Sequence, residues 1–157
     1  MWPVLFAMLL ATPAAAQEAP ERSQDAAWHN RQFAALAALD PAEGWRPLER
    51  GVLWRRVKGD GSRQHPNVSD RVRIHYAGRL IDGTEFDSSW ARGEPATFPL
   101  GRLIPGWQIA VPQMGVGDTI EIAVPPDAGY GPLGKGPIPG GAVLLFTIEL
   151  FAVNPAE

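Results

Sequence analysis

From residue 51 onward the apolar residues of this 157-residue chain recur every second position, with no helical crossover between the runs. Val72, Ile74 and Tyr76 alternate with Arg71, Arg73 and His75, which sets one buried face against one wet face. Ile120, Ile122 and Val124 alternate with Thr119, Glu121 and Ala123, and Leu144, Phe146, Ile148 and Leu150 form the longest such run. Gly51–Val57 reads as a further strand closed by the turn Lys58-Gly59-Asp60-Gly61, and 96–100 as a short extended piece between Pro95 and Gly101. Asp82-Gly83 predicts a hairpin turn between Ile74–Leu80 and Phe86. The only helical candidate here is Pro105–Val111, opened by a proline that suits a first turn and stopped by Pro112. Parallel strands need crossover helices, and there are none. The expected fold class is therefore α+β, an antiparallel sheet with one short helix over its apolar face.

The N-terminal third is organised differently. Residues 1–16 carry no charge, and the apolar run Val4–Ala11 leads through Thr12-Pro13 to Ala14-Ala15-Ala16. Eight apolar residues are far short of the ~20 needed to span a bilayer, so the segment reads as a signal peptide cut after Ala16, without a stable membrane anchor. Residues 17–48 then hold a polar linker and a helix over Asp25–Leu39, with Trp28, Ala35, Leu36 and Leu39 on one face. That helix either packs on its own domain or docks a partner; its length favours packing. The globular domain is expected over 49–153.

Composition removes whole classes of chemistry. There is no Cys, hence no thiol nucleophile, disulfide or thiolate metal site, and the three His residues are not spaced as a metal site. A net charge of -3 lacks the basic face that nucleic acid requires. Gly129-Tyr130-Gly131-Pro132-Leu133-Gly134 matches a dinucleotide fingerprint in letters only, because Pro132, Pro137 and Pro139 forbid the helix that must follow. Asn67-Val68-Ser69 is a sequon of a kind that chance supplies. Asp82, Glu85 and Asp87 are close in sequence, but turn formation explains them better than a cation does. What remains at the element ends is aromatic and apolar, with one carboxylate and no nucleophile: Phe86, Trp90, Phe98, Ile104, Trp107, Tyr130 and Ile138.

Val72-Arg73-Ile74-His75-Tyr76-Ala77-Gly78 resembles the V-x-V-H-Y-x-G strand of the FKBP-type peptidyl-prolyl isomerases, and Asp82 to Ser89 resembles that family's D-G-x-x-F-D-S-S. Phe98-Pro99-Leu100 through Ile104-Pro105-Gly106-Trp107, then Gln113-Met114, Tyr130-Gly131 and Leu144–Leu150, follow in the family's order. Arg50-Gly51-Val52 through Gly61 is similar to the first strand of bacterial secreted members. The resemblance implies a five- to six-stranded antiparallel sheet wrapped around one short helix. It places Tyr76, Phe86, Asp87, Ile104, Trp107 and Tyr130 on catalytic positions, with Trp107 as the floor, and Phe98, Leu103, Ile138 and Phe146 on substrate-binding ones. Ala96 stands where many members carry a pocket Phe, Pro137 replaces an aliphatic, and Pro112 interrupts the helix end; all three alter the rim more than the floor.

The activity so implied is cis-trans isomerisation of Xaa-Pro bonds, with no cofactor or metal. The implied partners are Xaa-Pro-containing unfolded polypeptides, and macrolides of the tacrolimus and rapamycin type as inhibitors. With the signal peptide, the implied location is the periplasm. A periplasmic chaperone or binding module that keeps the fold and isomerises weakly is the alternative, and an interaction module built on the Asp25–Leu39 helix is a third.

Overall fold

The computed structural model describes residues 19–22 and 24–156, so the expected signal segment 1–16 lies outside the described residues. Seven strands make one antiparallel sheet: β1 (Arg46–Pro47), β2 (Leu53–Lys58), β3 (Arg71–Arg79), β4 (Glu85–Ser88), β5 (Ala96–Pro99), β6 (Thr119–Val124) and β7 (Leu144–Val153). Their order is β1-β2-β6-β7-β3-β4, and β5 pairs with the other end of β3. β4 and β5 therefore share one edge of β3: Ala77 faces Ser88 in one half, and Ile74 faces Ala96 in the other. The two-residue β1, too short for any periodicity to betray, accounts for the extra strand. Asp82-Gly83 forms the expected hairpin turn, with Gly83 at φ 89 and Asp82 Oδ1 accepting from the Thr84 N–H.

The alternation fixes what is buried. Val72, Ile74, Tyr76, Ile120, Ile122, Val124, Leu144, Ile148 and Leu150 are fully buried on one face of the sheet. Across that face lies α3 (Pro105–Ala110), continued by a 3-10 turn at Val111–Gln113 where Pro112 forbids more α-helix. Six residues are far too few for a helix stable by itself, so burial of Trp107, Ala110 and Val111 must hold it. The approach is close: a Cβ on Gly106 would stand 2.6 Å from a Val124 methyl, and only glycine admits this packing.

Between β4 and β5 the chain makes a one-turn helix, α2 (Ser89–Arg92), which periodicity did not predict. The N-terminal helix α1 spans Ala26–Ala37, with the Asp25 carboxylate accepting the Trp28 N–H as its cap. It lies on its own domain, burying Trp28 and Gln32, with Ala35, Leu36 and Leu39 half-buried behind them and Phe33 turned to solvent. Among the described residues no helix is long and apolar enough to cross a membrane.

Candidate active site

Tyr76 reaches the site from β3 and Asp87 from β4, where the register sets Asp87 opposite Gly78. The Tyr76 hydroxyl donates to Asp87 Oδ2 at 2.5 Å. Arg92 closes the group: its Nη1 donates to Asp87 Oδ1 at 2.5 Å and its Nη2 to the Tyr76 hydroxyl at 3.0 Å. Arg92 was not among the residues singled out from sequence. The available signal was the cap pair around α2, since Ser88 Oγ accepts the Ala91 N–H and Gly93 takes the left-handed C-cap at φ 82. One helical turn then folds a guanidinium back over a carboxylate five residues earlier.

Burial, and next the hydrogen bond to Asp87, push the Tyr76 phenol well above its ordinary pKa. Burial does the same to Tyr130, with the negative field of Asp87 adding to it. Burial works against the Arg92 cation, but its bonds to Asp87 and Tyr76 outweigh this and raise its pKa. At neutral pH the site thus holds two un-ionised phenols beside a permanent cation.

The rest is a box of rings. Trp107 from α3 meets Tyr76 edge-on at 5.2 Å and Phe146 of β7 edge-on at 5.3 Å. Phe86 meets Phe146 at 5.6 Å, and Phe98 of β5 meets Tyr76 at 5.9 Å. Such perpendicular pairs set the positive edge of one ring against the negative face of the next. A Cβ on Gly78 would lie 2.5 Å from the Phe86 ring and 2.8 Å from Phe146, so the bare glycine in β3 makes room for both. The Trp107 indole N–H is buried with no hydrogen-bond partner among the described residues.

Leu103, Ile104 and Ile138 belong to the same buried cluster, and Tyr130 packs half-buried against it. Ile104 is the N-cap of α3, and its backbone N–H meets no acceptor among the described residues. Ala96 is 5% exposed on the same face of β5 as Phe98. His75 points the other way from Tyr76, stacking on Trp90 at 5.1 Å on the outer face. Ser89 Oγ lies 2.7 Å from both the His75 Nδ1 and the Tyr76 backbone N–H, and it accepts from the latter. The carboxylates weighed as a cation site have other work, Asp82 in the turn and Asp87 on Tyr76 and Arg92.

Comparison with known proteins points one way. Residues 62–151 match the family model described as FKBP-type peptidyl-prolyl cis-trans isomerase. The chain is 46% identical over 119 residues to the FKBP-type peptidyl-prolyl cis-trans isomerase FkpA of Aeromonas hydrophila, covering 76% of this chain and 44% of that protein. It is 41% identical to a peptidyl-prolyl cis-trans isomerase of Schizosaccharomyces pombe, covering 66% of this chain and 96% of the relative. The crystal structure of a peptidyl-prolyl cis-trans isomerase from Pseudomonas syringae superposes with a TM-score of 0.76 at 31% identity, covering 88% of this chain and 99% of that one. The chain spans about half the length of the bacterial curated relatives it matches.

Proposed function

This chain belongs to the FKBP-type peptidyl-prolyl cis-trans isomerase family, and on that premise we propose that it isomerises Xaa-Pro bonds in unfolded exported polypeptides. The observation that carries the reading is the ring box around Trp107, apolar on its walls and bounded by the Tyr76–Asp87–Arg92 group.

The chemistry asks for little more. Amide resonance sets a rotation barrier of ~18–20 kcal/mol, while cis and trans Xaa-Pro differ by only ~0.5–1 kcal/mol. The task is to lower a barrier, not to drive an equilibrium. A twisted amide has lost resonance and carries less charge on oxygen, so a dry aromatic wall favours it over the planar form. Only such differential binding accelerates the step. In our reading the prolyl ring rests on Trp107 between Tyr76, Phe86, Phe98 and Phe146. The Ile104 N–H takes a substrate carbonyl and fixes one side of the rotating bond. Tyr130 donates from the rim, and Leu103 and Ile138 line the subsite before proline. Asp87, neutralised by Arg92, orients the Tyr76 hydroxyl.

We place this work in the periplasm, on the strength of the apolar leader ending at Ala14-Ala15-Ala16, and we expect macrolides of the tacrolimus and rapamycin type to occupy the same box. The test is a protease-coupled assay on short peptides with an apolar residue before proline, with and without macrolide. Catalysis that the macrolide abolishes supports the reading. A rate equal to the uncatalysed one at micromolar protein overturns it.

A further inference from the structure

Nine of the fifteen residues 129–143 are Gly or Pro, so this segment has few side chains with which to hold itself. It nevertheless carries Tyr130 and Ile138 and runs directly into the strand that bears Phe146. Internally the loop is closed by the Gly141 N–H on the Gly131 carbonyl and by a reciprocal pair of bonds between Lys135 and Ile138, all at 2.9 Å. At its start the Gly129 and Gly131 N–H groups donate to the Pro126 carbonyl at 3.0 and 2.9 Å, and further anchors come from the other end of the chain. The Ala19 N–H donates to the Gly136 carbonyl at 2.9 Å, and the Trp28 indole N–H to the Gly140 carbonyl at 3.2 Å. Most telling is the Val143 N–H, which donates to Gln32 Oε1 at 2.8 Å with both residues buried.

Gln32 is an unexpected residue for that place. Only 2% exposed, it leaves its own Nε2 buried and unpaired among the described residues. Leaving a buried donor unsatisfied is costly, so an apolar residue would serve better if filling space were the only need. What an apolar residue could not supply is an acceptor for the Val143 N–H. The anchor sits three residues from Phe146 and five from Ile138 in sequence. A cleft of about 400 Å³ is lined by residues 19–22 and 132–140, whereas at Gly141 the loop lies directly against α1, where a Cβ would stand 2.7 Å from the His29 ring.

We propose that Gln32 and Trp28 are positioning residues for the isomerase site: α1 clamps the 129–143 loop and thereby sets the wall that receives the residue before proline. This rests on the isomerase reading for the substrate, but the clamp itself can be measured without turnover. The experiment compares the full chain with Gln32→Met, which keeps volume and removes the acceptor, and Gln32→Glu, which keeps the acceptor. Hydrogen–deuterium exchange is followed across 129–143, together with kcat and KM on Xaa-Pro peptides with Xaa varied. Loss of the buried acceptor is expected to speed exchange at Val143 and along the loop by about tenfold. KM should rise severalfold and the order of preferred Xaa change, with kcat nearly constant, and Gln32→Glu should recover most of both. Two results overturn the proposal. One is unchanged loop exchange in Gln32→Met. The other is exchange that rises evenly over the whole sheet while kcat falls with the folded fraction and KM stays constant. If the unaltered chain shows no turnover, the isomerase reading falls, and the exchange comparison alone then decides whether the clamp exists.

Discussion

Two aspartates are buried to nearly the same degree and each meets an arginine, yet they do different things. The side chains of Asp87 and Asp118 are 2% and 4% exposed, and those of their partners Arg92 and Arg56 are 26% and 30% exposed. Asp118 accepts from Arg56 Nε at 3.1 Å, from the Gly115 N–H at 2.9 Å and from the Gly61 N–H at 3.3 Å. Two of its three donors are backbone groups, so it fastens the turn after β2 to the turn before β6. Asp87 accepts from side chains, the Tyr76 hydroxyl and Arg92, and both can move. Burial and charge alone do not separate a staple from a site; the identity of the donors does.

Asp118→Ala should have the largest effect on stability. It leaves two backbone N–H groups and a guanidinium without their acceptor, at a cost of about 3 kcal/mol. Denaturant unfolding measures this, and activity per folded molecule should stay within about twofold if the site is elsewhere, as the contrast requires. A loss of activity beyond the loss of folded protein would erase the contrast. Asp87→Ala should reverse the pattern. The phenol and guanidinium still have each other, so stability should fall by only about 1 kcal/mol while kcat/KM drops about tenfold. Equal losses from both variants would show that Asp87 is a second staple.

The smallest expected effect is that of pH on turnover. With the Tyr76 and Tyr130 phenols held above their ordinary pKa by burial, neither ionises between pH 6 and 9. His75 faces away from the box. Turnover should therefore be nearly flat over that range, without the bell of paired acid and base, and should change little in heavy water. A steep dependence near pH 7 would bring a titrating group into the mechanism. Stability behaves differently at the alkaline end. The folded state holds phenol protons that the unfolded chain loses near pH ~10. This contribution is thus complete below that pH and is lost as pH rises above it. Thermal unfolding followed above and below pH 10 measures the loss, and replacing Tyr130 by Phe should reduce it.

Sequence was informative wherever a pattern repeated. The period-two runs around Ile74, Ile122 and Ile148 announced the sheet, and Pro105 and Pro112 bracketed the short helix. The ring-bearing residues could be named as a group because they stand at the ends of these elements. What escaped was short or distant. β1 has two residues and α2 four, below the length at which any period can register. Arg92 was visible only through the caps of that one turn. Gln32 reads as one polar residue on an amphipathic helix, since its partner Val143 is 111 residues away. Asp118 is equally silent, because its donors Gly61 and Arg56 meet it through folding at 57 and 62 residues' separation. Periodicity reports faces; it does not report which backbone groups will need an acceptor.

The ring box under Tyr76 and Asp87 is the proposed place where Xaa-Pro bonds turn. Exchange spectroscopy on a proline peptide reads this without a coupling protease, through cross-peaks between cis and trans signals at substoichiometric protein. Cross-peaks should appear with the unaltered chain and, per folded molecule, almost equally with Asp118→Ala; they should fade with Asp87→Ala and disappear when macrolide is added. No exchange above that of the free peptide, or exchange that persists in Asp87→Ala and in the presence of macrolide, would contradict the account.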